Sequence, residues 1–420
     1  MLLALVALCG APLFAVIAAS ALLGFYRAEI DLSVVPVEIY RLAEMPILLA
    51  IPLFTFAGYV LSESNAPRRL VRLTQALIGW VPGGLAVVSL ATCAIFTAFT
   101  GASGVTIVAL GALLYPALRE AGYPESFNLG LVTTSGSLGL LFAPSLPLIL
   151  YGVVAQQADI GAPVTIDALF LAGIIPGLLM VLSLSCWSFW VNRGRRRSLT
   201  EFSWLEVAHA LRAAAWELPL PIVVLGGIYS GYFAVSEAAA VTAFYVLIVE
   251  ILILRDVSVR QLPAIIRQSM LMVGGILLIL GVSLASANYM IDSGAPQKLF
   301  SLINDHVSSK FTFLILLNIF LLLLGAFLDI FSALVLVVPL ILPVAVGYGV
   351  HPVHLGIIFL ANMQIGYLTP PVGINLFIAS YRFKKPITEL YLATLPFLLI
   401  LLLCVALITY FPVLSLYLAD

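Results

Sequence analysis

The apolar segment "HLGIIFLANMQIGYLTPPVGINLFIASY" (354–381) is long enough to cross a bilayer as one helix, yet its centre reads "QIGYLTPPVGIN" (364–375). Gly366, Thr369, Pro370, Pro371 and Gly373 are the residues least suited to a continuous helix. Non-helical backbone at membrane depth is tolerated only where protein buries it or where it lines a wet cavity. The segment therefore predicts a chain that breaks a helix in order to use the freed N–H and C=O groups.

The surroundings support a membrane setting. Of the 420 residues 63% are hydrophobic and only 9% charged, with a mean hydropathy of +1.17, which excludes a soluble globular domain. The charges fall between apolar runs of roughly 18 to 28 residues, the length a helix needs to cross about 30 Å of hydrocarbon. Such spans are expected at 2–24, 45–62, 126–153, 167–191, 216–232, 233–254, 270–292, 354–380 and 390–417. Two further stretches, 82–115 and 311–345, are long enough to enter and return as re-entrant hairpins. The predicted fold class is an all-α polytopic membrane protein with two re-entrant hairpins and two broken helices. Residues 2–25 lack a basic leading region and exceed a signal peptide in length, so they read as a retained first span. Cys9, Cys93, Cys186 and Cys404 lie in apolar segments without CxxC spacing, which predicts packing roles and neither disulfide nor metal. No basic cluster is interleaved with aromatics, which removes nucleic acid as a partner.

With both hairpins re-entrant, 15 of the 19 Lys and Arg residues fall on one side. They include Arg68, Arg69, Arg72, the "NRGRRR" run (192–197), Arg255, Arg260 and "YRFKK" (381–385), against Arg27, Arg41, Lys298 and Lys310 opposite. The positive-inside rule then places the N-terminus in the cytoplasm and the C-terminus in the periplasm. The same layout exposes a repeat: "AGYVLSESNAPRRLVRL" (57–73) aligns with "ASANYMIDSGAPQKLFSL" (285–302). Each passes through Ala-Pro into a short amphipathic arm, 64–79 and 293–307. Pro116 and Pro144 match Pro343 and Pro370, and Ser103 falls opposite Asp329. Five spans separate the starts of the two copies, so the second is inverted, the arrangement of secondary transporters. The expected divisions are 1–44 for the first span and its periplasmic loop, 45–191 for the first repeat, 192–269 for a basic loop and linking helices, and 270–420 for the second repeat.

The two breaks, "SGSLGLLFAPS" (135–145) and "QIGYLTPPVGIN", occupy corresponding places, each expected to face its own hairpin tip, "FTGASGVT" (99–106) or "GAFLDIFSA" (325–333). Half-helix C-termini suit a bare monovalent cation and N-termini an anion. Residues assigned to the substrate around the midplane cavity are Ser103, Ser135, Ser137, Pro144, Asn362, Thr369, Pro370, Pro371 and Asn375. Asp329, an acid inside a hairpin, reads as an ion ligand or as a helix N-cap; Glu237 reads as a cap. The hydrophobic interior is nearly free of ionisable groups, which favours Na+ over H+ as coupling ion. Two rivals are weaker. An intramembrane serine protease using Ser103 in "GASG" (101–104) needs a histidine at membrane depth, whereas His209, His306, His351 and His354 fall in loops or at span ends. A passive channel would repeat by oligomeric symmetry rather than by inverted halves.

The phrases "SGSLGLLFAPSLPLILYG" (135–152), "GGIYSGYFAVSEAAAV" (226–241), "GAFLDIFSALVLVVPLILP" (325–343) and "IGYLTPPVGINLF" (365–377) resemble the large membrane subunit of tripartite ATP-independent periplasmic transporters. The resemblance runs from about residue 45 to the C-terminus. It departs in two places: "FAPS" stands where the family usually has a double proline, and "FAVSEA" where it has Pro-Thr-Glu-Ala. It implies an elevator-type, sodium-driven importer in the bacterial inner membrane, working with a small four-helix membrane subunit and a soluble periplasmic binding protein. Its substrate would be a small organic anion such as a C4-dicarboxylate, sialic acid or another sugar acid, with no cofactor besides Na+. The implied first sodium site uses Thr100, Gly101, Ser103, Thr106, Gly136 and Gly139; the second uses Gly325, Asp329, Gly366 and Thr369.

Overall fold

Apolar side chains surround many of the helices instead of forming one stripe, the pattern of a helix with lipid on one side and protein on the other. The last long helix buries Leu390, Phe397, Leu401 and Cys404 while exposing Leu392, Leu395, Leu399 and Leu403. The computed structural model describes residues 10–81, 83–158, 162–193, 202–307 and 309–419, and every regular element among them is helical. Cys9, the first residues of the 2–24 span and the "NRGRRR" run beyond Arg193 lie outside the described residues.

The first part of the chain gives α1 (Leu13–Arg27), α2 (Val34–Ala43), α3 (Ala50–Glu63), α4 (Ala66–Ile78), α5 (Gly84–Thr100), α6 (Ser103–Ala109), α7 (Gly111–Glu120), α8 (Glu125–Ser135), α9 (Leu146–Ala158) and α10 (Ile166–Asn192). Linking helices α11 (Trp204–Ala213), α12 (Pro219–Tyr229) and α13 (Val235–Leu247) follow, the last running into a π-helical stretch, Ile248–Ile253. The second part comprises α14 (Leu262–Asp292), α15 (Ala295–Asn304), α16 (Lys310–Phe327), α17 (Ile330–Gly347), α18 (Pro352–Gly366), α19 (Ile374–Phe383), α20 (Ile387–Tyr410) and α21 (Val413–Leu416). Seven helices among the described residues are long and apolar enough to cross a bilayer, and the pair Glu125–Leu141 and Leu146–Ala158, bent by 41°, makes a further broken span.

Two helices fall where loops were expected. Helix α2 lies in the loop after the first span because Val35 and Leu42 are buried where it packs against α14. Helix α11 forms in the basic segment, where the Ser203 hydroxyl accepts from the Glu206 N–H and so caps an orphan donor.

Around the core, α14 packs on α1, α2, α3 and α17; α13 lies along α3; and α10 touches α5, α18 and α20. The expected arms are helices α4 and α15, which lie against α5 and α17 respectively. At the centre stands α18, whose residues are all buried, as expected for a helix with protein on every side. The Tyr151 hydroxyl of α9 donates to the Pro352 carbonyl at its N-terminus over 2.6 Å.

Candidate functional site

The polar features sit where helices stop. Helix α5 ends at Thr100, and Gly101 follows with φ +64°, the left-handed conformation in which glycine terminates a helix at no steric cost. The chain turns through Ala102 into α6, placing Ser103 at its first position. In the second hairpin α16 ends at Phe327, and Asp329 caps α17. One Asp329 carboxylate oxygen accepts from the N–H groups of Phe331 and Ser332, each over 3.0 Å, and the other accepts the Ser332 hydroxyl over 2.5 Å.

Each break leans on its own tip. In the first, α8 ends at Ser135, a 3-10 turn covers Leu138–Leu141, and the cis Ala143–Pro144 bond precedes α9. The Thr97 hydroxyl lies 2.9 Å from the Gly136 carbonyl and 2.7 Å from the Thr106 hydroxyl, tying the break to both legs of the first hairpin. Gly139 lies so close to α5 that a Cβ there would stand 2.2 Å from the Ala94 carbonyl oxygen. In the second break, the Ile330 N–H donates to the Tyr367 hydroxyl over 2.6 Å, and the Gly373 N–H to the Ala326 carbonyl over 3.1 Å. Gly325 and Gly366 face each other with no room for a side chain: a Cβ on Gly366 would stand 2.6 Å from the Gly325 Cα. The breaks also meet each other, since the Ser137 hydroxyl lies 3.3 Å from the Gln364 carbonyl.

Between the tips is a cavity of about 110 Å3. Gly101 to Gly104 line it from the first tip, Asp329 to Phe331 from the second, Leu140 from the first break, and Tyr367, Ile374 and Ile378 from the second break and α19. Both tips therefore meet at one space, and Asp329 is its one charged lining residue.

Of the sequence-predicted residues, Gly101, Ser103 and Asp329 line this cavity. Thr100, Thr106, Gly136, Gly139, Gly325 and Gly366 stand behind it in the packing of tips and breaks. Thr100 is fully buried, with its hydroxyl unpartnered. Several predicted substrate residues are placed elsewhere. Ser135 donates back to the Val132 carbonyl of its own helix, the usual use of a hydroxyl in an apolar helix, and Thr369, just beyond α18, donates to the Ile365 carbonyl of that helix. Asn362 donates to Asn318 over 2.6 Å and to the Ile358 carbonyl, stitching α18 to α16. Pro144 is buried, Pro370 and Pro371 are exposed, and the Pro371 carbonyl accepts from Tyr391. Asn375 is buried with both amide atoms unpartnered. Glu237 accepts from the Ala234 N–H over 2.9 Å, the capping role read from the sequence. His354 is engaged by the Ser415 hydroxyl and the Thr409 carbonyl, away from Ser103.

Thr97, Asn318 and Tyr367 were missed. Thr97 could have been found four residues before the turn glycine, and Tyr367 as the one aromatic hydroxyl inside a break. The expectation of an acid-poor interior needs correcting. Glu250 is fully buried and Glu217 is 5% exposed, both on Arg69, which was expected among the basic surface residues and has a side chain only 14% exposed.

Helices broken at two facing points, each against a tight tip, with a cavity between the tips, define a polytopic transporter fold. The solved YdaH transporter of Alcanivorax borkumensis shares that fold, with a TM-score of 0.62 at 13% identity over 87% of this chain and 84% of that one. The profile described as "Tripartite ATP-independent periplasmic transporter, DctM component" matches residues 1–414. The chain belongs to this family. It is 36% identical over 409 residues to the C4-dicarboxylate TRAP transporter large permease protein DctM of Rhodobacter capsulatus, covering 94% of this chain and 92% of that protein. It is 33% identical to the isethionate TRAP transporter permease protein DctMQ of Oleidesulfovibrio alaskensis, covering 89% of this chain and 58% of that protein. The chain is thus a membrane-embedded large permease of a secondary transporter.

Proposed function

We propose that this permease imports a small organic anion, a carboxylate such as a C4-dicarboxylate or sugar acid, driven by a sodium gradient. Substrate arrives from a soluble periplasmic binding protein, and a small four-helix membrane subunit accompanies the permease in the bacterial inner membrane. The observation that carries this reading is the shared cavity, where both hairpin tips and both breaks converge. Carbonyls at Thr100, Gly136 and the ends of α16 and α18, each with a second lone pair, supply oxygen ligands of the kind a bare Na+ needs. Thr106 and Thr369 add hydroxyls at the two positions. Asp329 balances cation charge beside the second tip and holds the tip in shape through its cap. Ser103 and the backbone of the first tip present polar contacts to the anion. Ser135, Ser137, Asn362 and Asn375 back the breaks, so they act on substrate by fixing loop shape.

An elevator accounts for the connectivity: hairpins and breaks travel as one body against α4 and α15. The inverted relation read between the two repeats in the sequence supports alternating access, with the site carried by the moving body. The test is uptake into vesicles containing the permease and small subunit, with the binding protein outside. Accumulation should require an inward Na+ gradient and the binding protein; equal accumulation driven by protons in Na+-free buffer would overturn the sodium reading.

A further inference from the structure

Arg69 of α4 reaches three carboxylates at once. Its Nε donates to Glu217 Oε1 over 2.5 Å, Nη2 faces both Glu250 oxygens at 3.1 and 3.2 Å, and Nη1 bonds Asp256. These acids come from different places: the turn before α12, the π-helical stretch and the loop after it. With all three ionised, one guanidinium would face three negative charges in a largely buried cluster, and burying unbalanced charge is costly.

Geometry decides which acid is relieved. Asp256 accepts from Arg69 and from the Asn65 N–H. Burial pushes its carboxyl up, but these hydrogen bonds and the Arg69 charge outweigh that and hold it below the usual value. Both oxygens of Glu250 face Nη2. Glu217 differs: its Oε2 is buried without any partner. Glu217 also borders a cavity of about 100 Å3 between α4 and α5, whose other lining residues, Leu61, Leu70 and Phe96 among them, are apolar apart from Thr74.

We propose that Glu217 is a proton-binding site, neutral with its proton on Oε2 at neutral pH, and that this proton holds α4 against α5 and the segment before α12. Proton loss leaves a second uncompensated charge beside an apolar cavity. Water must then enter, loosening α4 on the hairpin leg it supports. The titratable and charged groups around Glu217 are Arg69, Glu250, Asp256 and Tyr245, whose hydroxyl donates to the neighbouring Trp216 carbonyl. The outer face of α4 carries the exposed Arg72–Glu206 pair.

The experiment is infrared spectroscopy of the purified full-length permease, with melting followed from about pH 5 to about pH 9, a range that brackets raised carboxyl values. The wild type should show a neutral-carboxyl band at neutral pH that Glu217→Gln removes and Glu250→Gln retains. Its melting temperature should fall as pH rises through the Glu217 transition. Glu217→Gln, which mimics the protonated form, should flatten that fall. A band that survives in Glu217→Gln, or one lost only in Glu250→Gln, overturns the assignment, as does an unchanged pH profile in Glu217→Gln. No transport is measured, so these outcomes are separate from the sodium and substrate reading.

Discussion

Gly366→Ala tests the contact of α16 with α18 at the site. A Cβ on Gly366 would stand 2.6 Å from the Gly325 Cα and 2.7 Å from its carbonyl carbon. Carbon atoms settle at about 3.5 to 4.0 Å, so α16 and α18 would have to part by roughly 1 Å. Both opposing atoms are backbone, so no rotamer relieves the clash, and overpacking of this kind costs about 1–3 kcal/mol. Alanine returns at most about 1 kcal/mol through helix propensity. The control is Gly274→Ala in α14, where nothing lies within 4 Å of the added Cβ and propensity acts alone. Melting of the purified proteins in one detergent should rank Gly274→Ala at or above wild type and Gly366→Ala below it. Uptake should fall in Gly366→Ala because Tyr367, the next residue, holds the second tip. If Gly366→Ala melts at or above wild type, the two helices are not as close as argued.

Two further substitutions separate shape from charge at the second tip. Asp329→Asn keeps a good N-cap and removes the charge, whereas Asp329→Ala also loses the cap, worth about 1 kcal/mol. Both should raise the Na+ concentration for half-maximal uptake, alanine more; sodium dependence unchanged in both would leave Asp329 as a cap alone. Tyr367→Phe strips the acceptor from the buried Ile330 N–H and should cost about 1–3 kcal/mol, read as a lowered melting temperature. An unchanged melt would mean that water or another group satisfies that donor.

Features written along the chain were legible in the sequence. Apolar runs mark helices because lipid demands them, and Gly101, Pro144, Pro370 and Gly373 mark breaks because their backbone preferences act locally. The pairings were not legible. Arg69 meets Glu217, Glu250 and Asp256 across 148, 181 and 187 residues, and no periodicity links positions so far apart. Asn362 shows the converse: a polar residue near a break looked like a ligand, but α16 presents Asn318 to it. Asp329 carried both readings in the sequence, and the structure displays the capping geometry while leaving its carboxylate at the cavity wall.

How the two halves interlock bears on what can move. Helix α9, beyond the first break, packs along α17 of the second hairpin, while α19, beyond the second break, packs on α6 of the first hairpin. Each broken helix thus begins against its own hairpin and finishes against the other one. The Ser137 to Gln364 contact closes the same exchange at the breaks themselves. Two halves rocking apart would have to tear all of these contacts and split the cavity, because tips from both halves line it. A body made of both hairpins and both broken helices keeps them all while it slides past α4 and α15. Among the contacts it must remake are those of α4 with α5 and of α15 with α17, together with those of α14 with α17 and of α3 with α5. The interlocked contacts therefore support the elevator over the rocking alternative, and they place the Arg69 cluster on the arm past which the body would slide.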